Sequence, residues 1–169
     1  MPTTSKSTEA AATGRSPNTT QVDAIDLLEQ DHKNVKALFE QYAGLSDRSR
    51  ASKKKLATQI CLELTKHATA EEEIFYPAVR EATGDDDLMD EATVEHASAK
   101  DLIAQILSMN ADEDLYDAKV KVLSEQIEHH VGEEEGEMFP KARKANLDLD
   151  GLGAAIAARK AEIELPLLQ

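Results

Sequence analysis

The chain has 169 residues, a formal net charge of −14 and one cysteine, Cys61. Its length fits one domain of roughly 100–200 residues, and a lone cysteine excludes an intrachain disulfide, which favours a reducing, cytoplasmic location. The acidic surface disfavours nucleic acid and anionic membranes as partners. No apolar run approaches the ~20 residues that cross a bilayer.

Three regions follow one another along the chain. Residues 1–20 are rich in serine, threonine and alanine without apolar periodicity, which predicts a disordered tail. Residues 21–145 carry a repeating apolar pattern and form the predicted domain. Residues 146–169 form a C-terminal extension, with a short amphipathic helix predicted near 152–163.

The domain contains four amphipathic segments, each with apolar residues at alternating three- and four-residue steps. They cover about 22–42, 52–81, 85–109 and 112–144, and Gly44 and Gly84 end the first two. The second stripe is predicted to continue through Ile74 and Ala78. Because the connections are short, consecutive helices are antiparallel. The sequence therefore predicts an all-α, up-down-up-down four-helix bundle.

Polar residues interrupt these apolar stripes at four matching places. Each stripe carries one histidine near its middle, and two stripes also carry a glutamate one turn later. The six residues are His32, His67, Glu71, His96, His130 and Glu134. Burying a carboxylate on an apolar face costs several kcal/mol unless a partner is present. A metal ion satisfies all six side chains at once.

The chain also repeats itself. Residues 67–77 and 130–140 both begin with histidine, have glutamate four residues later and end in proline. His67 follows His32 by 35 residues, and His130 follows His96 by 34. This duplicated helical hairpin predicts a site with pseudo-two-fold symmetry.

The spacing of the motif has a physical reason. Residues i and i+4 lie one above the other on a helix face, so one helix presents an imidazole and a carboxylate to the same point. Imidazole suits iron and zinc, and the two oxygens of a carboxylate can bridge a metal pair. The motif therefore favours a binuclear site with all six residues as ligands.

Several neighbouring residues receive a weaker interpretation. His129 points about 100° away from His130 and is predicted to be exposed or to support a ligand from outside, in preference to binding the metal itself. A solvated face is predicted for Glu72, Glu73, Glu133, Glu135 and Glu137. Glu63 and Gln126, four residues before the motif histidines, are either hydrogen-bond partners of the ligands or ordinary flanking residues. Tyr42 and Tyr76 are predicted to lie in the core or at its rim.

These motifs resemble the hemerythrin-like HHE cation-binding family. The resemblance covers about 22–143 and rests on Asp31-His32, Glu95-His96 and the two HxxxE motifs. It implies two iron ions joined by an oxo or hydroxo bridge. This di-iron centre would interact with dioxygen, peroxide or nitric oxide. Oxygen-carrying members have a fifth histidine four residues after the one on the third helix. Here that residue is Lys100, so the chain is more similar to bacterial members linked to oxidative stress, nitric oxide and repair of iron centres.

Three functions remain open at this point. The first is a di-iron protein that reacts with peroxide, dioxygen or nitric oxide in stress or iron homeostasis, with an unidentified electron donor. The second stores or senses oxygen or iron without turnover, and in the third the metal only stabilises the bundle. Manganese and zinc accept the same ligands. A ferritin-like di-iron site is rejected because it needs paired Glu-x-x-His motifs, and only Glu29-x-x-His32 is present.

Overall fold

The computed structural model describes residues 22–165, so the predicted disordered tail lies outside the described residues. The helices are α1 (Ala24–Ala43), α2 (Arg50–Ala70), α3 (Tyr76–Thr83), α4 (Asp86–Ser108), α5 (Tyr116–Glu133), α6 (Phe139–Lys144) and α7 (Leu149–Glu162). One π turn, Glu71–Phe75, joins α2 to α3, and a second, Glu134–Met138, joins α5 to α6. The predicted four-helix bundle with a short C-terminal helix is confirmed.

The helix ends follow from local sequence. The side chains of Asp23, Asp85 and Asp148 each accept a hydrogen bond from a backbone N–H three residues later, as capping residues do. Gly84 ends α3 in the left-handed region, with φ of 68°. Leu115 also has a positive φ, 72°. The fourth predicted segment therefore begins as helix α5 at Tyr116 instead of at the predicted residue 112.

The π turns were not predicted. The Tyr76 N–H donates to the Glu71 carbonyl five residues earlier, and the second turn repeats this bond in the other hairpin. A proline follows directly in both, Pro77 and Pro140. Proline lacks an N–H and its ring clashes with the carbonyl four residues back, so the widened turn relieves a conflict that a regular helix would retain.

The extra residue of the first π turn changes which side chains face the core. One additional residue rotates the following positions by about 100° around the axis. The predicted seam residues Ile74 and Ala78 are only partly buried, whereas Phe75, Tyr76 and Val79 are buried. The prediction of an unbroken helical stripe beyond Glu71 was therefore wrong.

Two apolar clusters fill the bundle, one on each side of the six predicted ligands. The first includes Leu28, Phe75 and Phe139 and extends to Ile156 of α7, and the second includes Val35. On α1, His32 lies between Leu28 and Val35, so a polar layer separates the two clusters. No helix within residues 22–165 is long and apolar enough to cross a membrane.

Helix α7 packs against α1 and α2. Gly153 makes this approach possible, because a Cβ atom there would lie 2.4 Å from the Val22 carbonyl oxygen and 2.9 Å from the Ala24 nitrogen. The bare glycine lets α7 lie directly on the start of α1. This contact brings the end of α7 beside the polar layer.

Candidate metal centre

The structure brings the six predicted residues together in the middle of the bundle. They form two groups, which we name the His32 cluster and the His96 cluster, and which share Glu71 and Glu134. The His32 cluster adds His32 and His67, and the His96 cluster adds His96 and His130. In each group, the potential ligand atoms all lie within 4.8 Å of one another. All six residues are buried.

The two shared glutamates each divide their oxygens between the clusters. Glu71 Oε1 lies 3.0 Å from His67 Nε2, and its Oε2 lies 3.3 Å from His96 Nε2. Glu134 Oε2 lies 3.1 Å from His32 Nε2, and its Oε1 lies 3.2 Å from His130 Nε2. Each carboxylate therefore spans the two clusters, as a bridging ligand does.

The donor set fits a pair of metal ions. The paired Nε2 atoms lie 3.2 Å apart in the His32 cluster and 3.0 Å apart in the His96 cluster. Metal–nitrogen bonds of about 2.0–2.1 Å that meet near right angles leave their donors roughly 3 Å apart. Glu71 Oε1 and Glu134 Oε2 are buried and make no well-oriented hydrogen bond within the described residues, although His67 Nε2 and His32 Nε2 lie 3.0 and 3.1 Å away. Such an oxygen costs about 1–3 kcal/mol or more, which a metal ion would offset.

Each of the four imidazoles is held from behind by a carboxylate. These four residues, which we call the outer carboxylates, are Asp31, Glu72, Glu95 and Glu135. Their distances to the Nδ1 atoms of His67, His96, His130 and His32 are 3.0, 2.9, 2.5 and 3.0 Å, in that order. A carboxylate at Nδ1 fixes the ring orientation and turns Nε2 toward the centre, as at many metal sites.

The outer carboxylates correct two sequence interpretations. Glu72 and Glu135 were assigned to the solvated face, and Glu135 is indeed exposed while Glu72 is partly exposed, but both also contact the Nδ1 atom of an imidazole, which was not predicted. The Glu63 side chain makes no hydrogen bond within residues 22–165, and Gln126 accepts one from Ser98 instead of bonding to an imidazole. The available signal was an acid directly before each lone histidine and directly after each shared glutamate.

Charges beyond the outer carboxylates differ between the two halves. Lys160 of α7 donates to both oxygens of Asp31 at 2.5 Å, and Lys100 donates to Glu72 at 2.6 Å. Glu95 has no lysine or arginine within 4.0 Å in the described part of the chain. Its neighbours are the imidazoles of His130 and His129, whose Nε2 lies 3.5 Å from Glu95 Oε1, and the carboxyl of Glu133. The exposed position predicted for His129 agrees with the 67% exposure of its side chain.

Tyr76 belongs to the centre, although the sequence placed it only in the core or at its rim. Its hydroxyl donates to Glu134 Oε1 at 2.6 Å and lies 3.2 Å from Glu71 Oε2 and from His96 Nε2. Its ring stacks on His96 with centroids 5.4 Å apart. Burial, followed by the charges of Glu71 and Glu134, raises the pKa of Tyr76 far above its usual range, so the phenol keeps its proton.

Phe139 occupies the position equivalent to Tyr76 in the second half. Its ring stacks on His32, with centroids 5.7 Å apart and an interplanar angle of 5°. Phenylalanine has no hydroxyl, so the two oxygens that face the His32 cluster receive no hydrogen bond equivalent to that of Tyr76. Tyr42 lies elsewhere in the core, where its hydroxyl donates to Asp117 at 2.6 Å.

The buried charges shift the pKa values of the predicted ligands. Burial alone would lower the pKa of His67, but Glu71 and Asp31 raise it to about 10. Burial has the same opposing effect on His130, whose pKa the contacts with Glu134 raise to about 9. Burial raises the pKa of the Glu134 carboxyl, but His130 and His32 reverse this effect and hold it well below its usual range. Metal binding must therefore displace protons from His67 and His130.

A small cavity lies against the four histidines on the side facing the second apolar cluster. Its volume is about 30 Å³, and its walls include Val35, Leu64, Ala99 and Ile103. About 10–15 Å³ of such space holds one water molecule. The cavity therefore has room for a diatomic molecule or a peroxide.

Comparisons with known proteins were consistent with this geometry. A family model described as the hemerythrin HHE cation-binding domain matches residues 23–142. A crystal structure of a hemerythrin HHE cation-binding domain-containing protein from Mycobacterium kansasii superposes with a TM-score of 0.70 at 26% identity. That match covers 83% of this chain and 86% of the other.

Two curated relatives match more limited regions. A DNA nickase of Nostoc sp. is 31% identical over 118 residues, which cover 70% of this chain and 33% of the nickase. An uncharacterised hemerythrin-like protein of Schizosaccharomyces pombe is 23% identical over 121 residues, with 70% of this chain and 59% of that protein covered. The chain spans less than two thirds of the length of either relative.

Proposed function

The chain belongs to the hemerythrin HHE cation-binding domain family, and on that premise we propose that it is a di-iron protein that reacts with peroxide, dioxygen or nitric oxide. The six ligands are the histidines and glutamates of the two clusters, and the irons share an oxo or hydroxo bridge. The protein acts in oxidative or nitrosative stress or in iron homeostasis, in the cytoplasm. Its electron donor is a separate molecule.

One observation carries the proposal. Two histidine pairs face two shared carboxylates whose oxygens are divided between the clusters, and two of those buried oxygens make no well-oriented hydrogen bond within the described residues. Neutral imidazole with bridging carboxylate is a ligand set that iron accepts, although zinc and manganese accept it too. The family favours iron among these metals.

Bound iron would supply one-electron redox chemistry and coordination positions for a small ligand. The chain's own residues do the remaining work. The small cavity has room for a diatomic molecule or a peroxide, and its apolar walls keep bulk water away. The Tyr76 hydroxyl holds a proton within 3.3 Å of Glu71, His96 and His130, where it can hydrogen-bond a developing negative charge.

A larger groove gives the electron donor a place to approach. It has a volume of about 510 Å³ and is lined by Phe39, Ile127 and Val131 together with His32. Lys33 and Lys36 also line it, and neither forms an ion pair within residues 22–165. We place the donor here because the groove reaches a ligand imidazole from the bundle surface.

Metal analysis with a visible spectrum tests the di-iron assignment. Protein grown with ample iron should contain two irons per chain and show the charge-transfer bands of an oxo bridge. His130→Ala should lose iron, while the matched His129→Ala variant should keep most of it, because His130 is 4% exposed and faces the cluster. Equal iron loss in both variants, or a single metal per chain, contradicts the assignment.

Turnover separates reaction from storage or sensing. The iron-loaded protein should decompose hydrogen peroxide catalytically, with one dioxygen released for every two peroxides consumed, as an oxygen electrode measures. Reduced protein should also consume nitric oxide. Reversible oxygen uptake without peroxide decay supports the storage or sensing alternative instead.

DNA cleavage is not part of the proposal. The similarity to the nickase covers only 33% of that protein, and a net charge of −14 repels the phosphate backbone. We propose neither nucleic acid nor a membrane as a partner.

A further inference from the structure

A third group of potential ligands lies outside the centre, on the surface between α4 and α5. It consists of Glu95, His129 and Glu133, whose potential ligand atoms lie within 4.8 Å of one another. His129 Nε2 lies 3.2 Å from Glu133 Oε1 and 3.5 Å from Glu95 Oε1. His129 and Glu133 are four residues apart on α5, so one helix face again presents an imidazole and a carboxylate to one point.

The equivalent carboxylate in the other half of the molecule indicates which kind of group binds beside Glu95. Glu95 corresponds to Asp31 in the duplication, because both precede a lone histidine and both bind a motif histidine through Nδ1. At Asp31, the Lys160 ammonium contacts both oxygens at 2.5 Å, so a cation occupies the outer side of that carboxylate. Neither Glu95 nor Glu133 has a lysine or arginine within 4.0 Å in residues 22–165.

We propose that Glu95, His129 and Glu133 form a peripheral site for one divalent first-row metal ion. This ion takes the place that Lys160 fills in the other half. Three protein ligands of mixed nitrogen and oxygen type suit zinc and its neighbours, and water completes the coordination. Because the His129 side chain is 67% exposed, the ion can enter from solvent without opening the bundle.

Glu95 connects this site to the centre. Its Oε1 faces His129, while its Oε2 accepts from His130 Nδ1 at 2.5 Å. An ion on Oε1 therefore lies one carboxylate away from a ligand of the His96 cluster. The site is distinct from the central one, because no atom of Glu71 or Glu134 belongs to it.

Zinc binding to iron-loaded protein tests the proposal. Unbound iron is removed, zinc is added, and both metals are measured after gel filtration, with calorimetry giving the affinity. Wild-type protein should bind one zinc per chain without losing iron. His129→Ala should lose this zinc and keep its iron.

Two further variants make the result specific. Glu128→Ala removes a neighbouring exposed carboxylate outside the group and should bind zinc as wild type does. His129→Lys supplies an ammonium in place of the imidazole, as Lys160 does in the first half, and should not bind zinc while its melting temperature stays close to that of wild type. The proposal is overturned if wild type binds no zinc, binds it only in exchange for iron, or binds it no better than His129→Ala does.

Discussion

The His32 and His96 clusters contain the same kinds of residue, two histidines and the two shared glutamates, but their surroundings differ. In the His96 cluster, the Tyr76 hydroxyl contacts one oxygen of each shared glutamate. In the His32 cluster, Phe139 stands at the equivalent position and the corresponding two oxygens make no well-oriented hydrogen bond in the described structure. The difference teaches that the duplicated hairpin preserves the residues that must reach a common point, while residues one layer farther out are free to diverge.

This divergence should give the two proposed metal positions different roles. In the His32 cluster a bound ion would satisfy the two oxygens that make no hydrogen bond, whereas the His96 cluster already has the Tyr76 hydroxyl as a donor. The outer charges differ too, with Lys160 behind the first half and the His129 group behind the second. We therefore expect the two positions to differ in affinity and reactivity.

Removing a shared carboxylate should have the largest effect, because it damages both clusters at once. Glu71→Gln replaces a bridging carboxylate by a neutral amide that cannot bridge two metals, so metal content should fall from two per chain to less than one. Elemental analysis measures this loss. Glu63→Gln is the matched control, since the Glu63 side chain makes no hydrogen bond or ion pair in residues 22–165 and belongs to neither cluster, and it should keep both metals.

Changing an outer carboxylate should weaken one cluster more than the other. Asp31→Asn removes the charge that orients His67, and Glu95→Gln does the same for His130. Loss of such a partner typically costs about 10–100-fold in metal affinity. Competition with a chelator should show each variant releasing one metal earlier than the other. Simultaneous release of both metals would contradict the expectation that each outer carboxylate acts mainly on its own cluster.

Exchanging Tyr76 and Phe139 should remove or reverse the difference in hydrogen bonding between the two clusters. Tyr76→Phe removes the hydroxyl that contacts two buried oxygens, so the metal-free protein should lose about 1–3 kcal/mol of unfolding free energy. Its metal content should be unchanged, while peroxide decay slows.

Phe139→Tyr is the complementary change. It places a hydroxyl in the His32 cluster and should stabilise the metal-free protein. Urea denaturation of the single variants and the double exchange measures both effects. If Tyr76→Phe left stability and peroxide decay unchanged, the hydroxyl would have no role.

The smallest expected effect is a difference between the pH values at which His67 and His130 titrate. His67 and His130 have pKa values raised from 6.5 to about 10 and about 9. A histidine with a raised pKa stabilises the fold fully below pH 6.5, and this contribution is lost as pH rises through the folded-state value. The metal-free protein should therefore lose stability between about pH 7 and 10, with the His130 proton resonance shifting before that of His67.

The sequence predicted most of the fold and all six residues of the centre. Helical periodicity located the four helical segments of the bundle. Glutamates on apolar faces indicated a metal because they had no other evident partner. The outer carboxylates were missed because Glu72 and Glu135 lie off the seam of a regular helix. Their partners are histidines of other helices, so only the three-dimensional packing brings them together.

Tyr76 was underestimated for a different reason. Tyr76 follows His67 by nine residues, and in a regular helix this spacing would point its side chain away from the face that carries the ligands. The π turn moves it inward, and the sign of that turn in the sequence is a single proline at 77. Periodicity assumes one geometry for the whole helix, and it fails where a proline changes that geometry.

The π turns also limit how the centre could be transplanted into another protein. Grafting His67 and Glu71 onto the regular helix of a designed bundle would reproduce the two ligands but leave Tyr76 facing away from them. A working graft needs the Glu71–Phe75 turn and Pro77 as one block, with a surplus residue that the host helix must accommodate. The transferable unit is therefore a fixed length of chain, residues 67–77, and deleting one residue between Glu71 and Tyr76 should separate metal binding from the tyrosine.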